Sequence, residues 1–228
     1  MSDFPPVSPS SPARLLRIAS RAASPNSGAE VRHGGPAQPP SDAELAQLAR
    51  DRDRRAATLV WDRYADVVRG VLYRTIGPDR DLEDLVQDVF VGFFRNVSTL
   101  RDTSSLRPFL IGIAIRTAKT ALRKRRVRRW LHLSRDGILP EVPVDDGDSR
   151  TREAIRRLFA VLSELDDRDR LAFVLRHAEG YELAEAASAL GVSLATLKRC
   201  LQRAEEHVLS RARSDDLLSA WAKGSGHE

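Results

Sequence analysis

Asp81-Leu82-Glu83-Asp84-Leu85-Val86-Gln87-Asp88-Val89-Phe90, running on to Phe93-Phe94, is the stretch from which the rest of the chain is read. Leu82, Leu85, Val86, Val89, Phe90 and Phe93 recur at steps of three and four, which makes one apolar stripe on a helix. The opposite face carries Glu83, Asp84, Gln87, Asp88 and Val91. Gly77-Pro78 breaks the chain ahead of it, so the spacing predicts a helix over 78–96. Acids early in a helix face the positive end of its dipole. Alone, this is a helix with a solvated acidic face. It gains meaning from a very basic helix that follows and a helix-turn-helix further on.

Upstream, Ser41-Asp42-Ala43-Glu44 has the capping-box pattern of a helix start. Leu59, Val60, Tyr64, Val67, Val68, Val71, Leu72 and Ile76 sustain a second helical stripe, with Trp61 at its edge. Downstream, a polar connector over 98–105 leads to Pro108, which suits the first turn of a helix. Phe109, Leu110, Ile113, Ala114 and Thr117 form the apolar side of that helix. No acid occurs from Thr103 to Arg135, while Arg116, Lys119, Arg123, Lys124, Arg125, Arg126, Arg128 and Arg129 accumulate. Because these basic turns continue out of a packed helix, their charge is held against one domain. Neutralising phosphates there would release counterions and give salt-dependent affinity for nucleic acid.

The whole chain has 228 residues, 42% of them apolar and 30% charged, with a formal charge of +5 carried mostly by Arg. The guanidinium fork suits phosphates and base edges, so an acidic partner is expected. The single cysteine, Cys200, excludes an internal disulfide and a multi-cysteine zinc site, and points to a reducing cytoplasm. No apolar run is long enough to cross a membrane, so membrane insertion is not expected. There is no nucleotide-binding glycine loop, metal cluster or nucleophile constellation. No cofactor, small-molecule substrate or enzymatic activity is therefore expected.

Residues 1–40 hold eight of the twelve prolines and read as a disordered extension. Residues 41–133 read as a compact helical domain, and 134–150 as a flexible linker carrying Asp136, Glu141, Asp145, Asp146 and Asp148. Residues 151–213 read as a second domain. Ile155, Leu158, Phe159 and Leu162 mark its first helix; Asp166 can cap a second, with Leu171, Val174, Leu175 and Ala178 inside. Residues 182–190, Gly191-Val192-Ser193 and 194–208 then make a helix-turn-helix. Leu194, Leu197, Leu201, Ala204 and Val208 fall on its packed side. Thr196, Arg199 and Arg203 face outward, with Ala195 and Gln202 beside them and Lys198 on the flank. Such a helix fits the major groove. The 214–228 tail, with Leu217, Leu218 and Trp221, is amphipathic enough to contact a partner or its own core. The fold class is all-α, two small helical domains.

Residues 81–90, followed by Phe109-Leu110-Ile111-Gly112-Ile113-Ala114, resemble the first conserved domain of bacterial sigma factors. Leu162-Ser163-Glu164-Leu165, Gly180-Tyr181-Glu182-Leu183-Ala184-Glu185 and Leu190-Gly191-Val192-Ser193-Leu194-Ala195-Thr196-Leu197-Lys198 resemble the last one. Only these two domains are present, as in the extracytoplasmic-function subgroup, and the resemblance spans about residues 41–210. It implies that Asp84, Gln87 and Asp88 bind core RNA polymerase. It implies that Arg101, Ser104, Arg116, Lys119, Thr120, Arg123 and Lys124 contact the minus-ten element, capturing flipped bases and holding phosphates. Ala195, Thr196, Lys198, Arg199, Gln202 and Arg203 would read the minus-thirty-five element of promoter DNA. The linker would lie in the RNA exit path, and an anti-sigma factor or another regulator is an expected partner.

The chain departs from the family pattern at several positions. Phe109, Arg116 and Thr120 stand where the family often has Trp, Asn and Asp, and Ala195-Thr196-Leu197-Lys198 stands for the usual Gly-Thr-Val-Lys. Arg116 and Thr120 are not conservative changes, so the usual minus-ten preference is not expected. Two alternatives remain open at this point: a stand-alone helix-turn-helix regulator, and a sigma-like adaptor that binds polymerase without melting DNA.

Overall fold

The computed structural model describes residues 39–100, 106–130 and 149–222, and every regular element among them is helical. Helix α1 (Asp42–Arg50) opens with the expected capping box. Ser41 Oγ accepts from the Glu44 amide at 3.3 Å, and the Glu44 carboxylate accepts from the Ser41 amide at 2.6 Å. Helix α2 (Arg54–Ile76) is capped by Asp53, which accepts from the Arg55 amide at 2.8 Å. Helix α3 (Leu82–Asn96) starts four residues later than the Gly77-Pro78 break predicts, at the first residue of its apolar stripe. Gly77 ends α2 with φ of +78°, and the Asp79 carboxylate then accepts from the Asp81 amide at 2.9 Å, holding 79–81 in a turn. A short 3-10 turn, Val97–Thr99, follows, and Arg50 donates to the Val97 and Leu100 carbonyls to tie α1 to it.

Helix α4 (Leu106–Trp130) is the hub of the first unit, packing on α1, α2 and α3. Val68, Leu72, Val86, Val89, Phe93, Leu110 and Ala114 are among its buried core. Fully burying each large apolar side chain contributes about 1.5–3 kcal/mol. Trp61 lies at the edge, its ring 4.7 Å from Phe90.

The second unit comprises α5 (Ser149–Glu164), α6 (Asp167–Phe173), one π-helical turn (Val174–Ala178), α7 (Leu183–Leu190), α8 (Leu194–Arg213) and α9 (Asp216–Ala222). Ile155, Leu158, Phe159 and Leu162 of α5 pack with Phe173, Ala204 and Val208. Gly191, with φ of +64°, makes the turn that lets α8 leave α7. Ser193 caps α8 by accepting from the Thr196 amide at 3.2 Å. Leu218 of the tail is buried against this unit's core; Trp221 lies outside the described side chains.

Two expectations need correction. Leu194 does not join the packed side of α8; it is 44% exposed, because it is the first residue of the helix, one turn ahead of the buried stripe that begins at Leu197. Asp166 occupies the N-cap position of α6 but makes no side-chain cap bond, since its carboxylate is engaged by Arg126 at 3.0 Å.

The two units are also docked on one another. At 100° per residue, the buried side chains of α4 between Leu106 and Leu122 cover about 200° of arc, twice a one-sided helical stripe. Ile111, Ile115 and Leu122 are buried in addition to Leu110, Ile113, Ala114 and Ala118. The extra arc accommodates α6 and α7, which both pack on α4. The end of α2 from Gly70 to Ile76 is buried on every side for the same reason. The acidic stretch between the units lies outside the described residues.

Candidate functional site

Asp84, Gln87 and Asp88 project from α3 to solvent, with Val91, 47% exposed, one turn further on. Their spacing places all four on one face. Glu83 belongs elsewhere: Arg69 of α2 holds it through two hydrogen bonds of 2.8 and 3.0 Å, and this partner keeps its carboxyl below the usual range. The acidic stretch thus divides into one carboxylate that joins two helices and a polar triad available to another molecule.

The basic helix divides in the same way. Arg116, Lys119, Thr120, Arg123 and Lys124 of α4 are exposed and follow one side of the helix. Thr120 Oγ1 donates to the Arg116 carbonyl at 3.0 Å, leaving the hydroxyl oxygen close to the backbone. Arg125 turns back into the fold, pairing with Asp79 and donating to the Ile76 carbonyl at 2.7 Å. Arg126 pairs with Asp166 and Asp167 of the second unit, at 3.0 and 3.1 Å. Arg101 and Ser104 lie outside the described residues, as do the side chains of Arg128 and Arg129.

On α8, Ala195, Arg199, Gln202 and Arg203 are exposed, while Thr196 and Lys198 are half-buried. The Thr196 hydroxyl is 2.9 Å from Ser193 Oγ, so it takes part in the cap. Gln202 donates to Glu206 at 2.9 Å. Arg203 is different. Its Nε and Nη2 both donate to the Asp169 carboxylate of α6, at 2.8 and 2.7 Å, and this pair raises the arginine pKa. Asp169 is only 5% exposed. Arg203 therefore ties α6 to α8 as well as facing outward, and Arg199 is the arginine of the face with no ion pair among the described residues. Asp169 has no role in the local sequence pattern; its importance comes from a helix packed 34 residues away in sequence. Cys200, buried beside this pair, has its thiol pushed up chiefly by burial, so it is an unreactive core residue.

Residues 60–128, which hold both the acidic and the basic faces, match the family model of Sigma-70 region 2. Residues 155–208, which hold the helix-turn-helix, match that of Sigma-70, region 4. The chain belongs to the sigma-70 family, in its ECF group. Among curated ECF relatives, SigG of Mycobacterium tuberculosis H37Rv is 32% identical over 177 residues, covering 65% of this chain and 46% of that protein. The chain thus spans about half the length of the mycobacterial relatives it matches. The ECF sigma-E factor of Haemophilus influenzae is 26% identical over 177 residues, covering 74% of this chain and 93% of that protein.

Two solved structures share the fold. CnrH, in complex with the cytosolic domain of CnrY, aligns with a TM-score of 0.55 at 23% identity, over 77% of this chain and 99% of that chain. The sigma factor RpoE of Bartonella quintana, in complex with the anti-sigma factor NepR, aligns with a TM-score of 0.53 at 22% identity, over 71% and 99%. Helices α1 and α9 lie outside both family matches.

Proposed function

We propose that this chain is a sigma factor that binds core RNA polymerase and directs promoter-specific transcription initiation in the cytoplasm. The observation that carries the reading is the exposure of two oppositely charged faces on adjacent, mutually packed helices: Asp84, Gln87 and Asp88 on α3, and Arg116, Lys119, Arg123 and Lys124 on α4. One face suits a basic protein surface and the other a phosphate backbone.

In this reading the α3 face docks on polymerase. The connector before α4, with Arg101 and Ser104, captures unstacked minus-ten bases, while the α4 face with Thr120 holds the strand. Ala195, Thr196, Lys198, Arg199, Gln202 and Arg203 present α8 to the minus-thirty-five element. Strand opening then needs no nucleotide hydrolysis and no enzymatic residue, because single-strand contacts offset lost stacking. NepR is the anti-sigma factor bound to RpoE in the B. quintana complex, and a regulator of that class is proposed for this chain.

Arg116 and Thr120 favour one second reading. Both are exposed on the side of α4 assigned to the minus-ten strand, where the family pattern has Asn and Asp. An adaptor that binds polymerase without opening DNA would also fit. Transcription reconstituted with core polymerase on the promoter upstream of the chain's own gene separates the two. A sigma factor yields a start-site-specific transcript; an adaptor binds polymerase and yields none.

A further inference from the structure

The pair formed by Arg203 and Asp169 limits what the arginine can offer to DNA. Arg203 Nε and Nη2 donate to the two oxygens of the Asp169 carboxylate at 2.8 and 2.7 Å, and Nη2 also lies 3.5 Å from the Cys200 sulfur. Those contacts occupy three of the five N–H donors of a guanidinium. The other two are on Nη1, which makes no bond among the described residues. The partners differ in exposure: the Asp169 side chain is 6% exposed and that of Arg203 58%. The carboxylate is closed in between α6 and α8, with the Cys200 thiol also bonded to it. One end of the guanidinium is therefore fixed and the Nη1 end is left for another molecule.

A bidentate grip on guanine takes N–H groups from two nitrogens of the fork, and the Nη2 donors are already engaged. Nη1 can still donate to a single acceptor. Arg203 stands nine residues past Leu194, the first residue of α8, or about 14 Å along the axis. That exceeds the ~12 Å width of the major groove. Recognition helices place their first residues on base edges, so a donor this far along meets the rim of the groove, where the phosphates lie. Arg199, one turn nearer the start of α8, keeps its whole fork for a base edge.

We propose that Asp169 is a positioning residue for DNA recognition: from its buried place in α6 it holds Arg203 so that Nη1 clamps one backbone phosphate and sets the register in which α8 reads the minus-thirty-five bases. The proposal rests on the sigma-factor reading. Phosphate contacts fix orientation while base contacts carry the sequence. A clamp aimed at one phosphate thus favours the register in which Arg199 meets its base. An arginine released from Asp169 keeps its charge, attracts several phosphates and selects none.

The test uses holoenzyme assembled from the full chain and purified core polymerase. Its DNA is the promoter upstream of the chain's own gene, and the same fragment with the minus-thirty-five element scrambled. In a parallel series each phosphate across that element is replaced, one at a time, by a neutral methylphosphonate. The variants are Arg203→Ala, Asp169→Asn and Arg203→Lys. The last keeps both charges but offers one nitrogen, which the buried carboxylate draws inward. Thermal melts establish that each chain is folded at the temperature of the assay.

The unaltered chain is expected to lose affinity about tenfold at one phosphate and little at its neighbours. Arg203→Ala should bind the promoter more weakly and be indifferent to that replacement. Asp169→Asn should spread a smaller loss, about threefold at most, over several phosphates, and should bind the scrambled duplex no less tightly than the unaltered chain. Arg203→Lys should also lose the sharp profile, and it carries the test alone if Asp169→Asn does not fold. A folded Asp169→Asn or Arg203→Lys chain with the unaltered profile would overturn the positioning role. So would the absence of any phosphate whose effect depends on Arg203. A chain that forms no holoenzyme, or whose holoenzyme yields no transcript from the promoter, overturns the sigma-factor reading and this role with it.

Discussion

Arg74 Nε and Glu179 Oε1 lie 2.5 Å apart although 105 residues separate them, and both side chains are almost fully buried. Removing one partner leaves a charge in a site almost closed to water, which costs up to about 3–5 kcal/mol. Arg74→Met and Glu179→Leu are each expected to lower stability by that order. The double variant should recover much of the loss, because two apolar side chains can fill the same space. Urea unfolding of the four proteins gives the coupling; strictly additive losses would contradict a direct pair.

A separate expectation concerns the basic face. Each phosphate contact contributes roughly 0.9 to the slope of log affinity against log salt. Changing Arg116, Lys119, Arg123 and Lys124 together to Ala should reduce the slope for promoter binding by about 3–4, with helicity unchanged. Arg125→Ala should instead lower the unfolding midpoint, because that side chain pairs with Asp79 and the Ile76 carbonyl. An unchanged salt slope in the quadruple variant would remove α4 from the DNA surface.

On α8 the two arginines should behave differently. Arg199→Ala is expected to weaken minus-thirty-five binding by about 10-fold or more, as for loss of a side chain that reads a base edge. Arg203→Ala should also lower thermal stability, since it strips the buried Asp169 carboxylate of its two arginine bonds. Thermal melts run beside duplex binding check this; equal melting of the two variants would contradict the structural role of Arg203.

Acid should loosen the fold in a defined direction. The Asp53 carboxyl is lowered to about 2, first by its bond to the Arg55 side chain and then by the cap bond to the Arg55 amide. Glu83 is lowered by Arg69, and Asp215 is lowered by the Leu218 amide and Arg157 against its burial. For groups depressed in the folded state, the stabilisation is complete above their ordinary values near 4 and is lost as pH falls toward the folded ones. The unfolding midpoint should thus drop between about pH 4.5 and 2, and Asp53→Asn should flatten the lowest part of that curve. A midpoint independent of pH across this window would show that these contacts are absent in solution.

Local chemistry was legible in the sequence where local rules suffice. The Ser41 capping box, the Gly191 turn, the Ser193 cap and the apolar stripe from Leu82 to Phe93 all appear where spacing puts them. The exposed triad Asp84, Gln87 and Asp88 follows from the same stripe. What escaped depends on partners far away in sequence. Ile111, Ile115 and Leu122 lie outside the one-sided stripe of α4, and only a second packing surface accounts for them. Asp166 looked like a cap because a cap needs only its own helix, yet Arg126 claims it. Asp169 and Glu179 are unremarkable acids until the helices that carry Arg203 and Arg74 are in place.

In the proposed function, α3 carries the surface for core RNA polymerase. The most direct measurement is equilibrium binding of the full chain to purified core polymerase, for the unaltered chain and for Asp84→Lys with Asp88→Lys. Both positions are exposed and make no ion pair among the described residues, so the variant should keep its fold and melting behaviour. Saturable binding by the unaltered chain and at least a 10-fold loss in the variant are expected, the scale of about 1.4 kcal/mol. Equal binding by both proteins, or none by either, would contradict this role of α3.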